Sequence, residues 1–153
     1  MIYSVDASSL IETYEKKYPP AVFPSVWERI ESLVADGRIK VSEVIVDELG
    51  SRSDGVHEWV ERHPEMVVPM DEAQQLAVRE ILDRFPTLIE PMRNKSGGDP
   101  FVIALAKVHS GVVVTEESPM KRRDRPNVPA TCREFQIACD SFLGFLKREK
   151  WLF

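Results

Sequence analysis

Four short apolar segments, separated by stretches of helical periodicity, constrain the fold of this chain more than any other feature. They lie at 2–5, 39–41, 66–68 and 112–115. Val112–Val114 is a continuous run of β-branched residues, which is typical of a strand that is buried on both faces. Strands that alternate with helices form a parallel sheet covered by helices on both sides. The sequence therefore predicts an α/β fold.

The chain has the size and composition of one folded domain. It has 153 residues, of which 43% are apolar and 29% are charged, and a chain of this length buries roughly 70% of its unfolded surface. It contains no internal repeat, low-complexity tract or linker. We therefore expect a single domain over residues 1–153.

Charge, apolar runs and cysteines exclude several classes of protein. The net charge of −5 argues against a protein that coats nucleic acid by charge alone. The longest apolar run, Phe101–Ala106, is far shorter than the ~20 residues of a membrane-spanning helix, and the first residues do not resemble a signal peptide. Cys132 and Cys139 are too few for a disulfide framework. We expect a cytoplasmic protein with two reduced thiols and no membrane partner.

Several helix boundaries can be predicted from capping residues. Ser25 and Asp71 are placed to begin helices, and Gly37 is placed to end one. Asp99–Pro100 has the order of a capping acid followed by a proline in the first turn, and Gly111 is predicted to end that helix. Two short helical stretches are expected after the fourth strand.

Acidic residues at the ends of predicted strands are the candidates for a functional site, because ligands of open parallel sheets bind beyond the carboxyl ends of the strands. Asp6 follows the first strand, and Glu116–Glu117 follow the fourth. Asp99 opens the helix that leads into the fourth strand, so it lies at the same end of the sheet. Glu48, on a helix after the second strand, reaches that edge if its helix packs beside the first strand.

Several carboxylates in one pocket repel each other, so a bound cation would stabilise them. Oxygen ligands without histidine or thiolate favour Mg²⁺ or Mn²⁺. Such an ion polarises a phosphoryl oxygen and activates water, which favours hydrolysis of a phosphodiester. Each acid also has a simpler interpretation: Asp99 as a helix cap, Asp6 as a strand end, Glu48 as a solvated helix residue and Glu116–Glu117 as the start of a loop.

Four blocks of the sequence, residues 2–11, 44–49, 98–106 and 112–117, resemble the successive motifs of a PIN domain. Their order and spacing match across most of the chain. The pattern from Val128 to Phe135 and the final helix ending at Trp151 are similar to one PIN-like branch in particular. The resemblance implies a three-layer α/β/α sandwich with a central parallel sheet of four to five strands, and frequent homodimers.

PIN domains are metal-dependent nucleases, and many are the ribonuclease toxins of toxin–antitoxin pairs. The resemblance assigns Asp6, Glu48 and Asp99 to the positions of acidic metal ligands and Ser8 to the small polar residue that shapes the pocket. Glu117, two residues after Thr115, holds the position of the fourth acid. Family members more often carry aspartate there, so water-mediated binding or a role for Glu116 instead stays open.

The expected function is therefore a Mg²⁺- or Mn²⁺-dependent endoribonuclease that leaves 5′-phosphates, in the form of a type II toxin whose cognate antitoxin covers the acidic cleft. The alternative is a catalytically inactive PIN-like module that binds RNA or protein. A phosphoryl-accepting receiver domain fits less well, because no lysine directly follows Val114. DNA stays open as a substrate.

A basic segment follows the presumed fourth acid and has two interpretations. It can bind the phosphates that flank the cut, or it can be a solvated loop that offsets nearby acids. Its residues are Lys121, Arg122, Arg123 and Arg125. The three histidines are not spaced as metal ligands, and the three tryptophans are predicted to fill the core or an interface.

Overall fold

The centre of the molecule is a five-stranded parallel sheet, as seen in a computed structural model that describes residues 1–86, 99–118 and 127–153. The strand order is β3-β2-β1-β4-β5. In chain order the strands are β1 (Tyr3–Val5), β2 (Ile39–Ser42), β3 (Val67–Val68), β4 (Val112–Val114) and β5 (Ala138–Asp140). The first four lie where the sequence predicts them.

Helices connect the strands and cover the sheet in an α/β/α arrangement, as expected. Most connections are one or two helices long, which a parallel crossover requires. In the described residues the helices are α1 (Ala7–Glu12), which continues as a π-helical turn (Thr13–Lys17), α2 (Pro24–Ala35), α3 (Glu43–Arg52), α4 (Asp54–Glu61), α5 (Glu72–Arg84), α6 (Asp99–His109), α7 (Val128–Glu134) and α8 (Phe142–Arg148). No helix in these ranges is both long enough and apolar enough to cross a membrane.

The central strand β1 and its neighbour β4 are buried on both faces. Every residue of β1 and β4 is buried, and Tyr3 pairs in register with Val112. On one side of the sheet Trp27 and Trp59 are buried and pack edge to face with their ring centroids 5.2 Å apart. The prediction that these tryptophans fill the core is confirmed.

Some predicted helix ends are confirmed and others are wrong. Asp71 accepts a 2.8 Å hydrogen bond from the Gln74 backbone N–H and begins α5, and Gly37, with φ +74°, follows the end of α2. Ser25 is not a cap, because Pro24 already takes the first helical position and the N-cap is Phe23. Proline suits that position because its missing N–H would have no helical partner.

Gly111 does not end α6, which ends at His109 with Ser110 in the left-handed conformation, φ +51°. The glycine is needed for a different reason. A Cβ at position 111 would lie 2.5 Å from the backbone oxygen of Ile2, where β1 and β4 approach each other. The absence of a side chain therefore permits the close pairing of these two strands.

The strand β5 is absent from the sequence prediction, which places only helical stretches there. It is three residues long and lies at the edge of the sheet, where backbone pairing of Cys139 with Val113 holds it. The two predicted helical stretches are α7 and α8. The predicted loop over 86–98 and the basic segment fall almost entirely outside the described residues.

Tyr3 also links β1 to the end of the chain. Its hydroxyl donates a hydrogen bond to Glu149 Oε2, which Arg38 Nη2 contacts at 2.6 Å. The Tyr3 ring packs edge to face on Phe145 of α8 at 4.7 Å. The first strand is thus held against α8 by both a polar and an aromatic contact.

Candidate metal centre

Asp6 lies at the carboxyl end of β1 and is 2% exposed. Its backbone N–H donates to the Val114 oxygen at 2.9 Å, which continues the pairing of β1 with β4. Its Oδ2 accepts hydrogen bonds from Ser8 Oγ and Thr115 Oγ1, each at 2.9 Å. Two hydroxyl groups therefore fix the orientation of this carboxylate.

Three acids from distant parts of the chain converge at this edge of the sheet. Asp6, Asp99 and Glu117 each offer a carboxylate oxygen, and these oxygens all lie within 4.8 Å of one another. Asp99 is buried at the start of α6, and Glu117 is half-buried just after β4. The neighbouring positions of β1 and β4, with α6 leading into β4, bring the three residues together. We name them the acid group.

Glu117 is held in place by α7 and Thr115. Its Oε2 accepts a 2.9 Å hydrogen bond from the backbone N–H of Val128, the first residue of α7, and its own N–H donates to Thr115 Oγ1 at 3.2 Å. Glu116 has other contacts. Its carboxylate binds Lys17 Nζ at 2.7 Å and the Phe142 N–H at 2.8 Å, so it lies outside the acid group.

Glu48 lies near Asp6 but is not part of the acid group. The second turn of α3 carries it, and its Oε1 accepts a 3.0 Å hydrogen bond from Arg52 Nη1, one turn further along the same helix. Within the part of the chain that the structure describes, its buried Oε2 atom has no hydrogen-bond partner. Among the described residues, one oxygen of Glu48 is thus bound by the Arg52 guanidinium, while the other accepts no hydrogen bond.

The electrostatics of these acids follow from burial. Burial raises the pKa of Asp6, and the hydrogen bonds from Thr115 and Ser8 oppose that rise only in part. Burial also raises the pKa of Glu48, which the Arg52 charge lowers and the Asp6 charge raises further. Both carboxyls are therefore harder to ionise than in water, and a positive charge nearby would stabilise their ionised forms.

The donor set fits a hard divalent cation. The acid group offers only carboxylate oxygens, and the buried Oε2 of Glu48 is a further oxygen nearby. Mg²⁺ and Mn²⁺ prefer oxygen ligands. The acid group could thus hold a metal ion.

A pocket of about 360 Å³ opens beside Glu117. The residues around it come from the turn after α1, the segment after β4 and the edge strand β5. They include Lys17, Thr115, Glu116, Ser118, Cys139 and Asp140. The pocket thus provides space for a ligand next to the acid group.

Other residues considered in the sequence lie away from the acid group or outside the described residues. His57 contacts Glu61 at 3.4 Å, and His63 contacts Glu31 at 3.5 Å. The four basic residues at 121–125 fall in the segment 119–126, which the structure does not describe. Sequence reasoning missed Arg52 and Lys17, although the spacing of Glu48 and Arg52 is a recognisable signal of an ion pair on a helix.

The fold is similar to that of a solved structure. The crystal structure of FitAcB from Neisseria gonorrhoeae has a TM-score of 0.55 with this chain, at 20% sequence identity, and the similarity covers 92% of this chain and 96% of the other. It supports the PIN-like α/β/α fold expected from the sequence. No curated protein matches the sequence. A family model described as "Domain of unknown function (DUF4411)" matches residues 3–153, and the chain therefore belongs to that family.

Proposed function

We propose that the protein is a metal-dependent endoribonuclease whose acid group binds Mg²⁺ or Mn²⁺. The observation that carries this proposal is the convergence of Asp6, Asp99 and Glu117 within 4.8 Å at the carboxyl edge of a parallel sheet. Acids that repel each other at such close range are typical of sites that bind a cation. The PIN-like fold adds support for a nuclease.

The chain's own residues would position the ligands and the substrate. Ser8 and Thr115 hold the Asp6 carboxylate, and the α7 N-terminus holds Glu117, so two ligands are fixed before a metal binds. Glu48 is proposed as the fourth ligand through its buried Oε2. A bound divalent ion supplies Lewis acidity toward a phosphoryl oxygen and lowers the pKa of a coordinated water.

Binding of the RNA itself is assigned to cationic side chains that follow Glu117 in the sequence. We place the phosphates that flank the cut on the basic residues of the 121–125 segment. Single-stranded RNA is the proposed substrate, and a 5′-phosphate the proposed product end.

The proposed biological role is that of a toxin in a type II toxin–antitoxin pair. It rests on the PIN-like fold and on the resemblance of the four sequence blocks to PIN domains. A cognate antitoxin would then cover the acidic cleft, and a homodimer is the proposed assembly. Co-expression with the product of an adjacent gene, compared with expression alone, tests this role through growth of the host cells.

Cleavage of a fluorescent single-stranded RNA in Mn²⁺, in Mg²⁺ and in a chelator tests the activity. The critical variant is Asp99→Asn, which removes one charge with little change in shape. We expect it to abolish metal-dependent cleavage while the metal-free protein keeps equal or higher thermal stability, because a repulsive charge has gone. Glu116→Gln is the matched control, since this neighbouring acid lies outside the acid group.

Two outcomes would contradict the proposal. Equal cleavage by the wild type and by Asp99→Asn would show that the assigned residues are not the site of reaction. Metal-independent binding of RNA without any cleavage would favour the alternative, a PIN-like binding module.

A further inference from the structure

Arg52 is a cation that contacts the candidate site and that the proposed function does not use. It ends α3, its side chain is 44% exposed, and its Nη1 binds Glu48 Oε1 at 3.0 Å, whereas the Glu48 side chain is 18% exposed. The ion pair therefore extends from solvent into the buried edge of the sheet. The Arg52 end of the pair is exposed, and the Glu48 end is largely enclosed.

The charge of Arg52 acts on more than its direct partner. Its positive charge attracts the carboxylate of Asp6 as well as that of Glu48. Asp6 in turn belongs to the acid group. Arg52 is thus placed to offset part of the negative charge at this edge of the sheet when no metal is bound.

The contact between Arg52 and Glu48 also holds the Glu48 carboxylate in place. Glu48 carries the type of side chain that the proposed site needs and lies near Asp6, yet its carboxylate is not among the three that converge within 4.8 Å. Its Oε1 is bound to Arg52, while its buried Oε2 has no hydrogen-bond partner among the described residues. A second cation could take Oε2 only against the repulsion of the Arg52 charge.

We infer that Arg52 is the resident counter-ion of the metal-free site and that it weakens the binding of a divalent cation by holding Glu48. The inference rests on the proposed function, because it takes the acid group to be a metal site. Arg52 is a positioning residue in this scheme, acting through Glu48. Its two effects have opposite consequences: it stabilises the metal-free protein and opposes the metal.

Replacement of Arg52 by glutamine should separate these effects. Without metal, Arg52→Gln should lower the melting temperature by about 1–4 °C, since an ion pair that is partly exposed is lost. In the same variant Mn²⁺ should bind roughly threefold to thirtyfold more tightly, because the Glu48 carboxylate would no longer be held by Arg52 and could bind the ion. Isothermal titration of chelator-treated protein with Mn²⁺ measures the second effect without RNA.

Arg84→Gln is the matched control. Arg84 also lies in the last turn of a helix, α5, and pairs with Glu134 at 2.9 Å, a distance like that of the Arg52 pair. The control has the same charge change and loses a similar contact. It should therefore lower the melting temperature slightly and leave the Mn²⁺ affinity within about twofold of wild type.

A double-mutant cycle identifies Glu48 as the intermediary. In a Glu48→Gln background the effect of Arg52→Gln on Mn²⁺ affinity should shrink, because the carboxylate that Arg52 holds is gone. An undiminished effect would show that Arg52 acts directly on the ion, and would overturn the role given to Glu48.

The remaining outcomes are also decisive. Unchanged or weaker Mn²⁺ binding by Arg52→Gln, with wild-type binding intact, would overturn the inference and leave the proposed function standing. Wild-type protein that binds no Mn²⁺ would overturn both. Mn²⁺ binding that follows the expected pattern without cleavage of RNA would overturn the proposed activity alone.

Discussion

Thr115 Oγ1 donates a 2.9 Å hydrogen bond to Asp6 Oδ2 across β1 and β4 of the sheet. Thr115 Oγ1 also accepts a hydrogen bond from the Glu117 backbone N–H at 3.2 Å. Thr115 is buried, so both contacts are largely shielded from solvent. One hydroxyl group therefore sets the spacing of two members of the acid group.

Thr115→Val should remove the hydroxyl group that links Asp6 to Glu117. Valine keeps the shape of threonine but offers no hydrogen bond, so we expect a loss of about 1–3 kcal/mol in the free energy of unfolding. Because the hydroxyl orients a proposed ligand, the affinity for Mn²⁺ should fall roughly tenfold or more. Chemical denaturation and calorimetric titration measure the two effects.

Thr131→Val provides the control for that experiment. Thr131 is equally buried, and its hydroxyl donates to the Asn127 backbone oxygen at 2.8 Å within α7. This variant should lose stability of the same order and keep its Mn²⁺ affinity. If both threonine variants bind Mn²⁺ as the wild type does, the hydroxyl of Thr115 has only a structural role.

Substitution of the adjacent residues Glu116 and Glu117 should have different effects on the response to Mn²⁺. Glu117→Gln removes a charge from the acid group, and we expect it to abolish the rise in melting temperature on addition of Mn²⁺. Glu116→Gln should lose the ion pair with Lys17, lower stability by less than about 1 kcal/mol and keep the response to Mn²⁺. Thermal denaturation with and without Mn²⁺ measures both, and the reverse result would make Glu116 the ligand.

Asp6 should make the metal-free protein less stable as the pH rises. Burial raises its pKa above the ordinary value of 3.8, so between these two values the folded state binds a proton that the unfolded state has lost. Stability therefore falls as pH increases from about 4 to the raised pKa, with a slope of at most about 1.4 kcal/mol per pH unit for one proton.

Asp6→Asn removes this titration. In a chelator, the variant should gain unfolding free energy relative to the wild type as pH rises above about 4, and the gain should vanish at lower pH where Asp6 is protonated in both states. Denaturation curves at several pH values give the difference directly. Parallel pH profiles for the two proteins would mean that Asp6 ionises in the folded state as readily as in water.

Tyr3→Phe should destabilise the fold without affecting the metal site. The substitution keeps the ring contact with Phe145 but removes the hydrogen bond to Glu149. Burial would raise the pKa of Glu149, but the contacts with Tyr3 and Arg38 lower it overall, so the bond is made to a charged group. We expect a loss of about 1–3 kcal/mol by urea denaturation, with Mn²⁺ affinity unchanged; wild-type stability would refute this.

Much of the fold could be predicted because its signals are local. Val112–Val114 indicates a buried strand by composition alone, and Asp71 indicates a helix start by the chemistry of its side chain. The edge strand β5 has no such signal, because pairing with a neighbour that is distant in sequence creates it. The role of Gly111 could not be predicted either, since it depends on the close approach of the Ile2 backbone oxygen.

Strand topology alone predicted the candidate site only to the level of strand ends, and the PIN resemblance added Glu117 as the fourth acid. Asp6 and Asp99 could be placed at one edge of the sheet from topology, because parallel strands end together. The choice between Glu116 and Glu117 depends on which side chain Lys17 and the α8 backbone bind, and the sequence carries no signal for those contacts. The Glu48 carboxylate is bound by Arg52, a contact that the spacing of the two residues on the helix does indicate.

The sheet order also determines when the acid group can exist during synthesis. β1 lies in the middle of the sheet, between β2 and β4, although it precedes both in the chain. Asp6 therefore leaves the ribosome long before the strand that completes its surroundings, and Glu117 follows only after β4. The carboxylates of the acid group cannot come together until residue 117 has been synthesised, so the proposed metal site forms only after β4 has left the ribosome.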